Sequence, residues 1–169
     1  DMVTGRLDSR YSGPAMDPMA ETADYDPMDS SIDAPTVAEF NEYVRNTLDF
    51  GKGLTYKPQI DVFKEWDFKH QPPGAPFALP FTPNVMPDLA SAMKHDPGLN
   101  VLLMGGYFDL GTPFYSAEYE MHQLPIPDKL QENISYKFFP SGHMVYLDPE
   151  SHDGLHAAAA AFIDAHYTK

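Results

Sequence analysis

Residues 105–112 read GGYFDLGT and follow the short apolar run VLLM at 101–104. A second apolar run, ISYKFF at 134–139, leads into PSGHMVY. Each run is short enough for a strand, and each ends at glycine or proline. Asp109 lies five residues beyond the first run and His143 four beyond the second. The separation of 34 positions between the two side chains accommodates a crossover helix. Two adjacent parallel strands would therefore present a carboxylate and an imidazole at one edge of a sheet, where open α/β sheets carry their functional residues.

The flanking patterns support that reading. TPFYSAEYEMHQL is a helix with Thr112 as its cap and Pro113 at its first position; Phe114, Ala117, Met121 and Leu124 form its apolar face. SHDGLHAAAAAFIDAHY is a last helix, with Leu155, Ala158, Ala159, Phe162 and Ile163 on one side. VMPDLASAMKHDP, at 85–97, is a helix ahead of the first strand. Alternating helices and strands of this kind predict an α/β fold with a parallel sheet. Two strands are too few for a stable parallel sheet, so further strands are expected from a segment outside this chain.

Upstream the patterns weaken. Residues 1–35 are rich in Asp, Pro, Ser and Met without a sustained period, and are expected to form an extended arm. Asp24, Asp26 and Asp29 lack the spacing and glycine of a calcium loop. Residues 36–84 are expected to be a helix followed by a Pro- and aromatic-rich loop. The helix covers 36–49, with capping-box spacing at Thr36 and Glu39 and an apolar face of Val37, Phe40, Val44 and Leu48. Trp66, Phe68, Phe77 and Phe81 predict a loop packed over a core or lining a cleft. Residues 85–169 then form the α/β part.

Composition excludes several functions. The net charge of −14 argues against nucleic acid as a partner, and against anionic membrane surfaces. No apolar run is long enough to insert in a membrane. There is no cysteine, so there is no disulfide framework and no thiolate metal site. His152 and His156 are four apart but lack a third ligand; His70, His95, His122 and His166 are isolated. No metal and no cofactor is expected. Asp1 is not an initiator and no signal sequence follows it, so the chain is expected to be a processed or excised piece of something longer.

An Asp and a His at adjacent strand exits make two-thirds of a nucleophile–His–acid triad. In α/β hydrolases the order is Ser, then acid, then His, with the Ser on a G-x-S-x-G elbow. No such elbow occurs in these 169 residues. Ser141 is only two residues from His143 on the same turn and makes a poor nucleophile. The expected nucleophile therefore lies on an N-terminal segment of the same protein. Gly142 is expected to permit the turn that aims His143, and Gly105 and Gly106 to shape the loop near Asp109. Arg6 and Arg10, in GRLDSRYSG, either bind a carboxylate or tie the arm to the body by ion pairs.

The stretches LNVLLMGGYFDLGTPFYSAEYEMHQL and ISYKFFPSGHMVYLDPESHDGLHAAAAAFI resemble the C-terminal portion of the serine carboxypeptidases (peptidase family S10), the bacterial branch above all. GRLDSRYSG, DYDP and FNEYVRNTLDF fit that branch as well, and the likeness covers nearly the whole chain. It departs from eukaryotic members, which are disulfide-rich and carry Pro where Tyr146 stands. The resemblance implies the C-terminal part of an α/β-hydrolase fold, completed by the N-terminal segment. It implies an enzyme that releases C-terminal residues from peptides, works best below neutrality, and is secreted or periplasmic. On it Asp109 matches the triad acid and His143 the base. Met144 either lines the pocket for the departing residue or is an ordinary core methionine. Two alternatives stay open: an α/β hydrolase acting on esters or acyl donors, and a non-catalytic binding protein of the same fold.

Overall fold

The computed structural model describes residues 1–79 and 84–167, so Phe81 lies outside the described residues. The chain is mixed α/β and divides into two compact units. Unit 1 comprises Asp1–Gly5 and Tyr11–Asp67; unit 2 comprises Arg6–Arg10 and Phe68–Lys169.

Unit 2 holds the two expected strands. Strand β3 is Val101–Gly106 and strand β4 is Ile134–Phe139. They pair in parallel, with Val101 opposite Ile134 and Gly106 opposite Phe139. Helix α2, Met86–His95, precedes them. The crossover contains α3, Phe114–His122, and the short α4, Asp128–Gln131. Helix α5, Pro149–Tyr167, follows β4. Successive strand residues point to opposite faces. The Phe114 ring of α3 stacks against Phe138, its centroid 5.2 Å away, and Gly154 of α5 abuts Phe139. The two helices therefore cover opposite faces of the pair.

The core of unit 2 gathers where the strands begin. Ala90, Met93, Leu124 and Ile134 are its buried centre, with Leu89, Val101, Met121 and Tyr136 packed around them. The expected face of α3 is its less exposed side, ending in buried Leu124. Burial is not continuous along either strand. In β4, Ser135 and Lys137 are exposed while Ile134 and Phe139 are buried, and β3 is half-buried along most of its length. Each strand has a neighbour on one side only within this sheet.

Unit 1 corrects the upstream reading. The expected extended arm contains an antiparallel pair, β1 (Met2–Thr4) with β2 (Ser12–Pro14), and the start of helix α1 (Pro27–Glu42). Asp26, not Thr36, caps α1: its carboxylate accepts the Met28 N–H at 2.8 Å, and Pro27 takes the first helical position. Pro35 lies inside the helix, where a proline ordinarily breaks it. The helix continues as a π turn over Tyr43–Thr47 and ends at Asp49, whose φ of 53° is left-handed.

The expected apolar face is only partly covered. Val37 and Val44 are half-buried, but Phe40 and Leu48 are exposed. Together with Phe50, Leu54 and Tyr56 they line an open groove of ≈ 540 Å³. The aromatic loop is likewise exposed at Phe63, Trp66, Phe68 and Phe77, rather than packed over a core. Among the described residues no helix is long and apolar enough to cross a membrane.

Candidate functional site

The parallel ladder does not stop at the strand ends. Tyr107 N–H donates to Phe139 O at 3.0 Å, and Phe108 N–H donates to Ser141 O at 3.0 Å. These bonds hold the two exit loops side by side and bring Asp109 and His143 together. His143 Nδ1 lies 2.8 Å from Asp109 Oδ2. An ionised carboxylate only accepts hydrogen bonds, so the proton of this contact resides on Nδ1, which in the neutral imidazole leaves the lone pair on Nε2. The His143 side chain is 45% exposed, and no partner for Nε2 occurs among the described residues.

Asp109 is 4% exposed, and its carboxylate is fully engaged. Oδ1 accepts the Gly111 N–H at 2.8 Å and the Thr112 N–H at 2.9 Å. Oδ2 accepts the Thr112 hydroxyl at 2.6 Å besides His143. Four donors match the roughly four acceptor sites of a carboxylate. Burial alone would raise the Asp109 pKa; the hydrogen bonds from the Thr112 hydroxyl and N–H, from His143 and from Gly111 outweigh it and hold the carboxyl below its ordinary value. The acid is therefore anionic at working pH and fixed in direction.

Thr112 is the site residue that local pattern misassigned. Helix α3 begins at Phe114 with Pro113 at its cap, and the helix has no side-chain cap. The Thr112 hydroxyl serves the acid instead, with its oxygen 3.2 Å from His143 Nδ1. Its position three residues after a strand-exit Asp, in D-L-G-T, is the signal that would have found it: an Asp side chain commonly accepts from backbone N–H groups two residues on.

Ser141 is fully buried. Its hydroxyl lies 3.4 Å from Arg10 Nη2, and no bond to His143 occurs among the described residues. It is placed as a structural residue. Met144 is half-buried, and its carbonyl accepts the Leu147 N–H in the 3-10 turn Val145–Leu147.

Gly142 is needed for a different reason than turn geometry. It does not adopt positive φ; a Cβ there would fall 2.5 Å from Leu7 O and from the Asp8 Cβ. At Gly106 a Cβ would collide with the carbonyls of Ser141 and Gly142. Both glycines permit close approach of backbone segments. Beside Thr112, an apolar hollow of ≈ 400 Å³ is lined by Met86, Leu103, Pro113, Ala117 and Met121.

Among the described residues no group of three or more His, Asp or Glu is disposed to hold a metal ion. Asp26 is occupied as the α1 cap. Comparison with protein-family models, curated proteins and solved structures returned no match.

Proposed function

We propose that this chain supplies the acid and base of a serine hydrolase of the α/β-hydrolase class, acting as a carboxypeptidase on peptides. The carrying observation is the 2.8 Å Asp109–His143 contact at adjoining exits of two parallel strands, with Nε2 left open. In this reading a serine hydroxyl on an N-terminal segment of the same protein gives its proton to Nε2 as its oxygen attacks the scissile carbonyl. Asp109 holds the tautomer and stabilises the imidazolium without taking the proton. His143 then protonates the departing amine, and water repeats the cycle on the acyl-enzyme.

Two further observations support a docking segment. A compact monomer of 18.9 kDa exposes about 8,300 Å², and the same mass in two separate compact bodies about 10,000 Å². This chain exposes 12237 Å². Among the described residues the parallel sheet has two strands, each paired on one side only. The resemblance to serine carboxypeptidases supplies the substrate class.

The test is a fluorophosphonate probe on the assembled protein, followed by parallel peptide and ester panels. Labelling of a serine outside this chain, with turnover of C-terminally free peptides, is the expected result. Turnover of esters alone would move the reading to an esterase. Labelling at Ser141, or none anywhere, would overturn it.

A further inference from the structure

Segment Arg6–Arg10 belongs to unit 2, although its sequence neighbours on both sides belong to unit 1. It lies between the two exit loops and bonds to each. On the β3 side, Ser9 N–H donates to Phe108 O at 2.8 Å and Leu110 N–H donates to Arg6 O at 2.8 Å. These bonds bracket Asp109. On the β4 side, His143 N–H donates to Leu7 O at 2.7 Å, so the segment holds the backbone of the base itself. The contact is close enough that residue 142 tolerates no side chain.

Arg10 locks this arrangement. Its Nε and Nη2 form a fork on Asp8, at 3.0 and 2.7 Å to Oδ1 and Oδ2, and Asp8 is 2% exposed. Its Nη1 donates to Pro140 O at 2.7 Å, and its guanidinium lies 5.2 Å from the centre of the Phe108 ring. One planar cation therefore touches the buried acid of its own segment, the β4 exit and the β3 exit. Lysine offers neither the fork nor the flat face.

We propose that Arg6–Arg10 is a positioning strap for the Asp109–His143 pair and that Arg10 is the positioning residue that sets the register between acid and base. The proposal rests on the hydrolase reading only for its effect on turnover. Removing the guanidinium would leave the backbone bonds between the exit loops and to the segment in place, but would take away the side-chain lock on Asp8, Pro140 and Phe108 that fixes their fine register. A displacement of an ångström between reacting groups costs about a hundredfold in rate.

The experiment uses the assembled protein with Arg10→Ala and Arg10→Lys, read by kcat, KM, melting temperature and the proton resonance of His143 Nδ1–H. Arg10→Ala is expected to lower kcat about a hundredfold with KM held within about twofold, and millimolar guanidinium, but not ammonium, to restore part of it. Arg10→Lys, which keeps the charge opposite Asp8 and so should keep the fold, is expected to lose about tenfold in kcat. In both, the Nδ1–H resonance should move upfield or broaden. Should Arg10→Ala fail to fold, Arg10→Lys decides. A folded Arg10→Lys with unchanged kcat and an unmoved resonance would overturn the proposal. So would a loss in Arg10→Ala that merely tracks the folded fraction. If the wild-type assembly turns over neither peptide nor ester, the hydrolase reading fails, and the Nδ1–H resonance alone then decides the strap.

Discussion

The strand exits of unit 2 and the segment 36–67 of unit 1 solve opposite problems. At the exits the polar groups are buried and paired: Asp8, Asp109 and Ser141 are all under 5% exposed, and each has its partners in place. In 36–67 the apolar groups are open, with Phe40, Leu48, Phe50, Leu54, Phe63 and Trp66 all exposed. Buried polar groups are costly unless satisfied. A region that satisfies them with its own residues is complete as it stands. An apolar groove without a lid is not, since contiguous exposed apolar patches of this kind mark contact surfaces. The acid–base pair of this chain is thus held by its own residues, while its exposed apolar groove has the character of a contact surface.

The largest expected effect breaks the comparison at its polar end. On the proposed reading, His143→Ala should abolish turnover in the assembled protein, because it removes the base that takes the proton of the attacking hydroxyl. Asp109→Asn should cost on the order of ten-thousandfold in kcat through the wrong tautomer, as in the serine proteases. Wild-type turnover in either variant would show that the pair is structural.

The sequence made part of this legible. VLLM and ISYKFF are short apolar runs closed by glycine or proline, so both strands, their parallel pairing and the meeting of Asp109 with His143 follow from periodicity and spacing. What local pattern cannot carry is a contact across the whole chain. Arg10 reaches Pro140 from 130 residues away; GRLDSRYSG offers a tie of the arm to the body, but not the residue it meets. Thr112 precedes a helix and so reads as its cap, until the fold sets Asp109 beside it. The first nine residues of α1 carry no sustained apolar period, and they include Pro35, a residue that ordinarily breaks a helix. Phe40 and Leu48 have helical spacing, but periodicity locates a face without showing what covers it.

A smaller effect sharpens the polar end. Thr112→Val keeps the shape and the backbone bond to Oδ1 but removes the donor to Oδ2. Losing a hydrogen bond to a charged group costs about 1.5–3 kcal/mol, or about 10- to 150-fold if it is expressed in the transition state. The pH dependence has a definite sign. The folded-state pKa of Asp109 lies below its ordinary value of 3.8, so its stabilisation is complete above that value and is lost as pH falls through the folded one. Thr112→Val raises the folded pKa toward the ordinary value. The stability gap between wild type and variant should therefore be full at neutral pH and close as pH drops below about 3.8. A gap independent of pH would mean that the hydroxyl supports the loop and not the carboxylate.

The smallest effect tests the apolar end. Phe40 and Leu48 are 44% and 54% exposed, so polar substitution there removes few contacts within the chain. Phe40→Ser and Leu48→Ser should each change the stability of the isolated chain by no more than about 0.5 kcal/mol, the usual range for surface positions. Both should lower its binding of a hydrophobic dye such as ANS, because the groove is where such a dye would sit. The measurement cuts against the comparison in one direction only. If either serine variant loses 2 kcal/mol or more, on the scale of emptying a core, the groove is closed over in solution by residues of this chain. The apolar half would then be as self-sufficient as the polar one, and the docking segment would lose one of its supports. Little change in stability together with reduced dye binding is what an open, partner-facing surface predicts.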